Sequence, residues 1–168
     1  EFFDGPVISD TGRFIAFQST ATDLLDPSLG VADTNGLPDI FIFDRDSDLD
    51  GVFDEPDATS TILVSVNSAG TDSPGLSSGF CSSFAPALSG DGRLVAFNST
   101  CEDLVPGVSG TNVYVRDLFT GATTLISATV EGGGGGVGSL AGAPRSVAIS
   151  GSGDRVAFMS DTVATGLD

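Results

Sequence analysis

ISDTGRFIAF at Ile8–Phe17, LSGDGRLVAF at Leu88–Phe97 and ISGSGDRVAF at Ile149–Phe158 are three versions of one short passage. Each reads as an apolar strand, a Gly-containing tight turn, and a second strand that ends in Ala-Phe. Recurrence at spacings of 80 and 61 residues makes the chain an array of similar units, so the unit has to be understood before any site.

Working outward, Asp39–Phe43 (DIFIF) and Thr61–Val66 (TILVSV) follow the first hairpin. Both are rich in β-branched and aromatic residues and are bounded by Gly, Pro, Asn and Asp, the marks of strands. Asn112–Val115 (NVYV) and Thr124–Ala128 (TLISA) follow the second hairpin in the same order. Each unit is therefore four strands, A to D. Ser146–Ser150 and Arg155–Met159 begin a third unit, and no C or D strand follows before Asp168. The expected fold is all-β, with about two and a half four-stranded antiparallel units over residues 5–66, 84–128 and 145–168 in one partial domain. Such a repeated unit is the blade of a β-propeller, and a β-sandwich with similar hairpins is the alternative.

Pro86-Ala-Leu-Ser-Gly-Asp-Gly-Arg-Leu-Val-Ala-Phe, followed by Tyr114-Val-Arg-Asp-Leu-Phe-Thr-Gly, resembles the TolB-like, WD-type bacterial propeller repeat. The resemblance covers nearly the whole chain. It implies a fold more than a function, because such blades serve as binding modules and as non-catalytic domains of hydrolases. Propellers close with about four to eight blades, so the expectation is a fragment of a longer protein. An open array whose edge strands self-associate is the other reading.

The composition excludes several chemistries. There is no His, Lys or Trp, and all six basic residues are Arg. Without His, Ser-His-Asp hydrolysis and ordinary zinc sites are unavailable to this segment. A net charge of −17 repels nucleic acid and anionic membrane surfaces and favours cations. No apolar run approaches the length of a membrane span. Nineteen of the 23 acids are Asp, a residue of turns and short-range metal ligation. An evenly acidic surface, or adaptation to high salt, would also give this composition, but the charge is not even.

Asp44–Asp57, DRDSDLDGVFDEPD, places seven acids in fourteen residues between strands C and D of the first unit. Asp46, Asp48 and Asp50 alternate, Gly51 follows and Asp54 comes three later, giving D-x-D-x-D-G-x-x-D. This is the spacing of an EF-hand-like calcium loop, in which alternate carboxylates face the ion and Gly makes the sharp turn. Val52 then offers a backbone carbonyl, while Asp57 stands at the twelfth position in place of the usual bidentate Glu. A register starting at Asp44 places Glu55 twelfth but puts Leu49 where Gly belongs, so the first register is preferred and Glu55 is an auxiliary ligand. Flanking helices are missing. An acidic loop joining propeller strands is similar to the calcium cages of the integrin α-subunit propeller, and the expected ion is Ca²⁺.

A weaker echo, Val31-Ala-Asp33-Thr-Asn35-Gly36-Leu-Pro-Asp39, ends in the same Gly-x-x-Asp but has Val31 in place of the first ligand. Asp33, Asn35 and Asp39 are candidates for a second ion, although Asn-Gly and Pro-Asp are also ordinary turn chemistry. The second unit lacks this element.

Cys81 and Cys101 flank the second hairpin. If Leu88 faces Leu94, opposed residue numbers sum to 182, as 81 and 101 do, and the two sulfurs come within bridging reach. A disulfide together with weak calcium binding points outside the cytoplasm, to a secreted, periplasmic or cell-surface protein. Glu131–Gly138, with five consecutive glycines, reads as a flexible connection,. Phe17, Phe97 and Phe158 occupy equivalent strand ends and are expected in the packing between blades. The sequence thus points to a calcium-binding, non-catalytic module with a protein or carbohydrate partner. The propeller domain of a larger hydrolase and an assembling fibre or adhesin subunit are its alternatives.

Overall fold

The structure, a computed structural model, describes residues 5–74, 81–108, 110–127 and 146–159. The expected glycine-rich connection at Glu131–Gly138 lies outside them. The three recurrent passages fold into one and the same turn. In each, the first Ser amide donates to the carbonyl five residues on: Ser9 to Phe14 at 2.9 Å, Ser89 to Leu94 at 2.9 Å and Ser150 to Arg155 at 2.8 Å. Each Ser hydroxyl accepts the returning amide, at 3.1, 2.9 and 3.1 Å. The turns close through Gly12, Gly92 and Gly153 at φ +75°, +77° and +76°, a backbone region that costs other residues energy.

Around these turns, β1 (Val7–Ile8), β2 (Phe14–Ser19), β3 (Asp39–Asp44) and β4 (Ser60–Leu63) form one antiparallel sheet in chain order. A second sheet repeats it with β5 (Ser83–Leu88), β6 (Leu94–Ser99), β7 (Asn112–Asp117) and β8 (Ala122–Leu125). β9 (Val147–Ile149) and β10 (Val156–Phe158) pair as the start of a third. Apart from the 3₁₀ turn Pro27–Leu29, the described residues are strands and loops.

The blades stack turn upon turn. The Asp10 amide donates to Gly90 O and the Gly90 amide to Gly151 O, both at 2.9 Å. A Cβ on Gly92 would lie 2.1 Å from the Phe14 ring, and one on Gly153 would lie 2.7 Å from Leu94. Glycine is thus required twice, by the turn and by the neighbouring blade. The core between the first two blades joins Ile40, Ile42 and Val64 to Val95, Phe97 and Tyr114. On the other face of the first blade, Phe41, Leu63 and Val66 form a separate cluster with Phe17, Leu24 and Leu25. Burial on both faces explains the unbroken apolar run of β3. Full burial of such side chains contributes about 1.5–3 kcal/mol each. Face-to-face stacking of four-stranded antiparallel sheets defines these units as blades of a partial β-propeller.

Three expectations need correction. The fourth strand of the first blade, expected over Thr61–Val66, ends at Leu63. There the Ser65 hydroxyl accepts the Ile40 amide at 3.0 Å, while the Val64 and Ser65 amides share Ile40 O. The second hairpin pairs Leu88 with Val95 rather than Leu94. Ala85 and Pro86 bulge opposite Phe97, which shifts the register back by one so that Ser83 faces Ser99. Cys81 and Cys101 consequently do meet, in a disulfide with Cα atoms 4.8 Å apart. Finally, Phe17 and Phe97 stack on Phe41 and Tyr114 at centroid distances of 5.8 Å, but Phe158 is 38 % exposed. Among the described residues its sheet has two strands, so no third strand supplies the ring that Phe41 and Tyr114 provide.

Candidate metal centre

The acidic segment spans the gap between β3 and β4, and short local bonds shape it. The Ser47 amide donates to Ala58 O at 2.8 Å, and the Asp54 amide to Arg45 O at 2.8 Å. Asp46 is buried, 5 % exposed, and its two carboxylate oxygens accept the amides of Asp50 at 3.1 Å and Gly51 at 3.2 Å. Asp50 in turn accepts the Val52 amide at 2.8 Å. These bonds fold the chain back over Asp46, and Gly51 makes the sharp turn at φ +88°. The result brings one carboxylate oxygen each of Asp46, Asp48 and Asp50 within 4.8 Å of one another, the latter two exposed.

Glu55 lies within range of the charge on this group. Its carboxyl is pushed above the usual range, first by the charge of Asp50, then by burial, then by Asp48 and Asp46. Asp44 is engaged elsewhere. Arg13 grips it with two bonds of 2.7 and 2.6 Å, and it accepts the Asp46 amide at 3.1 Å. A loop register starting at Asp44 is thereby disfavoured.

Asp54 and Asp57 are not among the three acids that converge. Arg45 holds the Asp54 carboxylate through Nε at 2.9 Å and through Nη2, and this bonding keeps its carboxyl below the usual range. Arg45 also donates to Gly12 O at 2.9 Å and covers the Phe53 ring at 4.9 Å. Asp57 is exposed at φ +66°, and Val52 is 50 % exposed.

The second motif folds differently from the first. Asp33 is 6 % exposed, and neither carboxylate oxygen meets a hydrogen-bond donor. Burial raises its carboxyl pKa, and the Ser73 hydroxyl and the Asn35 and Gly36 amides partly oppose the shift. Asn35 donates to Asp39 at 2.8 Å and to Pro74 O at 3.2 Å, while its own Oδ1 accepts the Leu37 amide at 2.6 Å. Asp39 is fully buried at the first residue of β3 and accepts the Ser65 hydroxyl at 2.5 Å. Its carboxyl is pushed up to about 7, chiefly by burial; Ser65 and Asn35 oppose this, and the charges of Asp33 and Asp103 add to it.

Asp103 stands on the loop after β6, far from Asp39 in sequence. Asn112 carries the overlooked signal. It begins β7 as Asp39 begins β3, and it accepts the Ser127 hydroxyl at 2.9 Å as Asp39 accepts that of Ser65.

The fold and the loop together define a β-propeller-type array with an acidic hairpin between the third and fourth strands of its first blade. No family model and no curated protein matches the chain. Among solved structures, the crystal structure of TolB from Acinetobacter baumannii is similar with a TM-score of 0.45 and 16 % identity, over 93 % of this chain and 26 % of that one. The chain thus spans about a quarter of the length of that structure, 26 %. Among the described residues, no helix is long and apolar enough to cross a membrane.

Proposed function

We propose that this chain is a calcium-binding, non-catalytic β-propeller segment of a secreted, periplasmic or cell-surface protein, working as a binding or structural module. The observation that carries the reading is the convergence of Asp46, Asp48 and Asp50 to within 4.8 Å. Calcium takes oxygen ligands at about 2.3–2.6 Å, so two of them across one ion stand about 5 Å apart. Glu55 adds a fourth carboxylate at the side. The ion offsets the repulsion among these acids and pins the hairpin. With few protein ligands and two exposed carboxylates, the affinity belongs with extracellular modules, at about 10⁻⁴–10⁻³ M.

The Cys81–Cys101 bridge favours an oxidising compartment. The absence of His favours a non-catalytic role, because it removes the commonest general base. For a protein or carbohydrate partner, an open groove of about 350 Å³ bordered by Asn67, Leu104, Arg116 and Thr123 offers mixed polar and apolar walls.

The test is calorimetric titration of calcium into the chelator-treated chain and into an Asp46→Ala, Asp48→Ala, Asp50→Ala variant. Saturable binding that weakens or loses one site in the variant is expected. Identical isotherms would overturn the reading.

A further inference from the structure

The groove bordered by Asn67, Leu104, Arg116 and Thr123 opens at the rim of the core between the first two blades. Leu104 and Tyr114 belong to that core, and Arg116 stands two residues beyond Tyr114, on the same face of β7,. No residue lining the groove is acidic, in a chain with 23 acids. Arg116 is also the exception among the described arginines. Arg13, Arg45, Arg93 and Arg155 pair with aspartates, whereas Arg116 gives a single bond, from Nη1 to the Thr123 hydroxyl at 3.0 Å. Burial lowers its pKa and the charge of Asp117 opposes the shift, but the Asp117 carboxylate is itself gripped by Arg93. A guanidinium carries five N–H donors, so most of those on Arg116 are left for a ligand.

The first blade supplies an internal control. Strand register sets Arg116 between Val95 and Thr123, as it sets Phe43 between Ile15 and Thr61. An apolar ring satisfies the same position of the same unit, so the charge of Arg116 is surplus to building a blade. The ladder also leaves backbone groups unused beside it. The Ile126 amide donates to Val113 O at 2.8 Å, and hydrogen-bonded and non-hydrogen-bonded pairs alternate along an antiparallel ladder. Arg116 and Thr123 are therefore a non-hydrogen-bonded pair, and the Thr123 N–H and C=O point away from β7. Among the described residues β8 is the last strand of its sheet, so those two groups face an open edge, and Thr123 lines the groove.

We propose that this groove binds an extended, acidic peptide segment of a partner protein, with one carboxylate side chain on Arg116 and the segment's backbone paired with Thr123 along the edge of β8. The inference rests on the reading of the chain as a binding module and narrows its partner. Guanidinium and carboxylate match as a two-bond fork. An added strand gains its affinity from main-chain bonds, while a neighbouring pocket selects the side chain. A volume of about 350 Å³ lies at the small end of ligand pockets, about 300–1,000 Å³, and suits one such side chain with its neighbours. No aromatic ring lines the groove, so it lacks a flat platform for a sugar. The overall negative charge is screened beyond about 10 Å at 0.1 M salt, which leaves contact with Arg116 to decide.

The experiment is selection of a displayed random hexapeptide library on the full chain in chelator, beside Arg116→Gln and Arg116→Phe variants. The parent should enrich Asp or Glu at one position of the selected peptides. A selected peptide, synthesised with blocked ends, should lose about tenfold or more in affinity when that acid is replaced by its amide, the range of hydrogen bonds to charged groups. On Arg116→Gln the same replacement should make no difference. Arg116→Phe copies Phe43 of the first blade, so it should melt no lower than the parent while losing the acidic preference. Thr123→Pro removes an edge amide that the ladder does not use and should weaken the acid and amide peptides alike; unchanged binding would overturn the strand pairing. Calcium titration of Arg116→Gln should match the parent's, so the groove and the calcium hairpin fail separately. No acidic enrichment on the parent, or an acidic preference that persists on both Arg116 variants, would overturn the groove; in the second case peptide binding itself would stand, elsewhere on the chain.

Discussion

At the scale of single residues, the alternation of Asp46, Asp48 and Asp50 before Gly51 was legible because the bonds that shape it are local, spanning five residues or fewer. Asp54 was not. Its carboxylate is taken by Arg45, and that guanidinium is anchored on the carbonyl of Gly12, 33 residues away in sequence. Asp54→Ala should therefore leave calcium affinity within about threefold of the parent, whereas Asp48→Ala should cost about tenfold or more; each 1.4 kcal/mol is tenfold. Calorimetry on the two variants decides, and equal losses would place Asp54 in the cage after all. Gly92 offers a second contrast. Its φ is +77° and an added Cβ would strike Phe14 at 2.1 Å, while Gly121, at φ +70°, would meet only the tip of Arg116 at 3.7 Å. The backbone term is about 1 kcal/mol in both. Gly121→Ala should lose about that, and Gly92→Ala about 3 kcal/mol or more, since overpacking adds a further 1–3. Urea unfolding midpoints measure the difference.

Among elements, the hairpins were readable because alternation and turn chemistry lie within ten residues, and the sequence placed most strands to within a residue or two. Departures arose where side chains replace ladder bonds. Ser65 and Ser127 end the fourth strands by capping Ile40 and Val113 with their hydroxyls, a substitution that strand propensity does not register. Pro86 has no amide to give the ladder, and the bulge beside it shifts the pairing by one. The disulfide was anticipated from a register one residue out at the turn, and the bulge cancelled the error. The repeat also hides a recurring clamp. Arg13 grips Asp44 and Arg93 grips Asp117, each joining the turn to the end of the third strand. In the third copy Asp154 stands where this arginine would be. Arg93, with the amides of Phe119 and Thr120, holds the Asp117 carboxyl far below the usual range. A depressed folded-state value stabilises above the unfolded carboxylate pKa, about 3.9, and the contribution fades as pH falls toward the folded value. Asp117→Asn should thus be less stable than the parent by a constant margin above about pH 5, and the margin should shrink below about pH 4. A margin that persists unchanged into acid would assign the loss to shape rather than charge.

For the whole molecule, the stacking of blades was foreseen from repetition, but what lies between blades was not, because it depends on residues far apart in the chain. Gly90 could be read as a turn residue; that its Cβ would collide with Asp10 at 2.2 Å is a property of the neighbouring blade. Charge poses the same problem of scale. A formal charge of −17 gives two routes to stabilisation by salt: general screening, which any electrolyte supplies, and occupancy of specific sites, which sodium cannot supply. Screening depends on ionic strength alone, whereas occupancy follows RT ln(1 + [L]/Kd) and saturates. At about 5 mM calcium and a Kd of about 0.5 mM, the hairpin site contributes about 1.4 kcal/mol, a rise of about 3–5 °C in Tm for a chain of this size. Sodium chloride at the same ionic strength, about 15 mM, leaves the Debye length near 25 Å and should add about 1 °C or less. The parent protein should therefore separate the two salts clearly by calorimetric melting. A chain lacking the Asp46, Asp48 and Asp50 carboxylates should respond to both alike, because it keeps fourteen charges of excess acid and not the site: −17 with three acids removed. If the parent itself answers both salts equally, its acidity serves solubility in salt and the hairpin holds no ion.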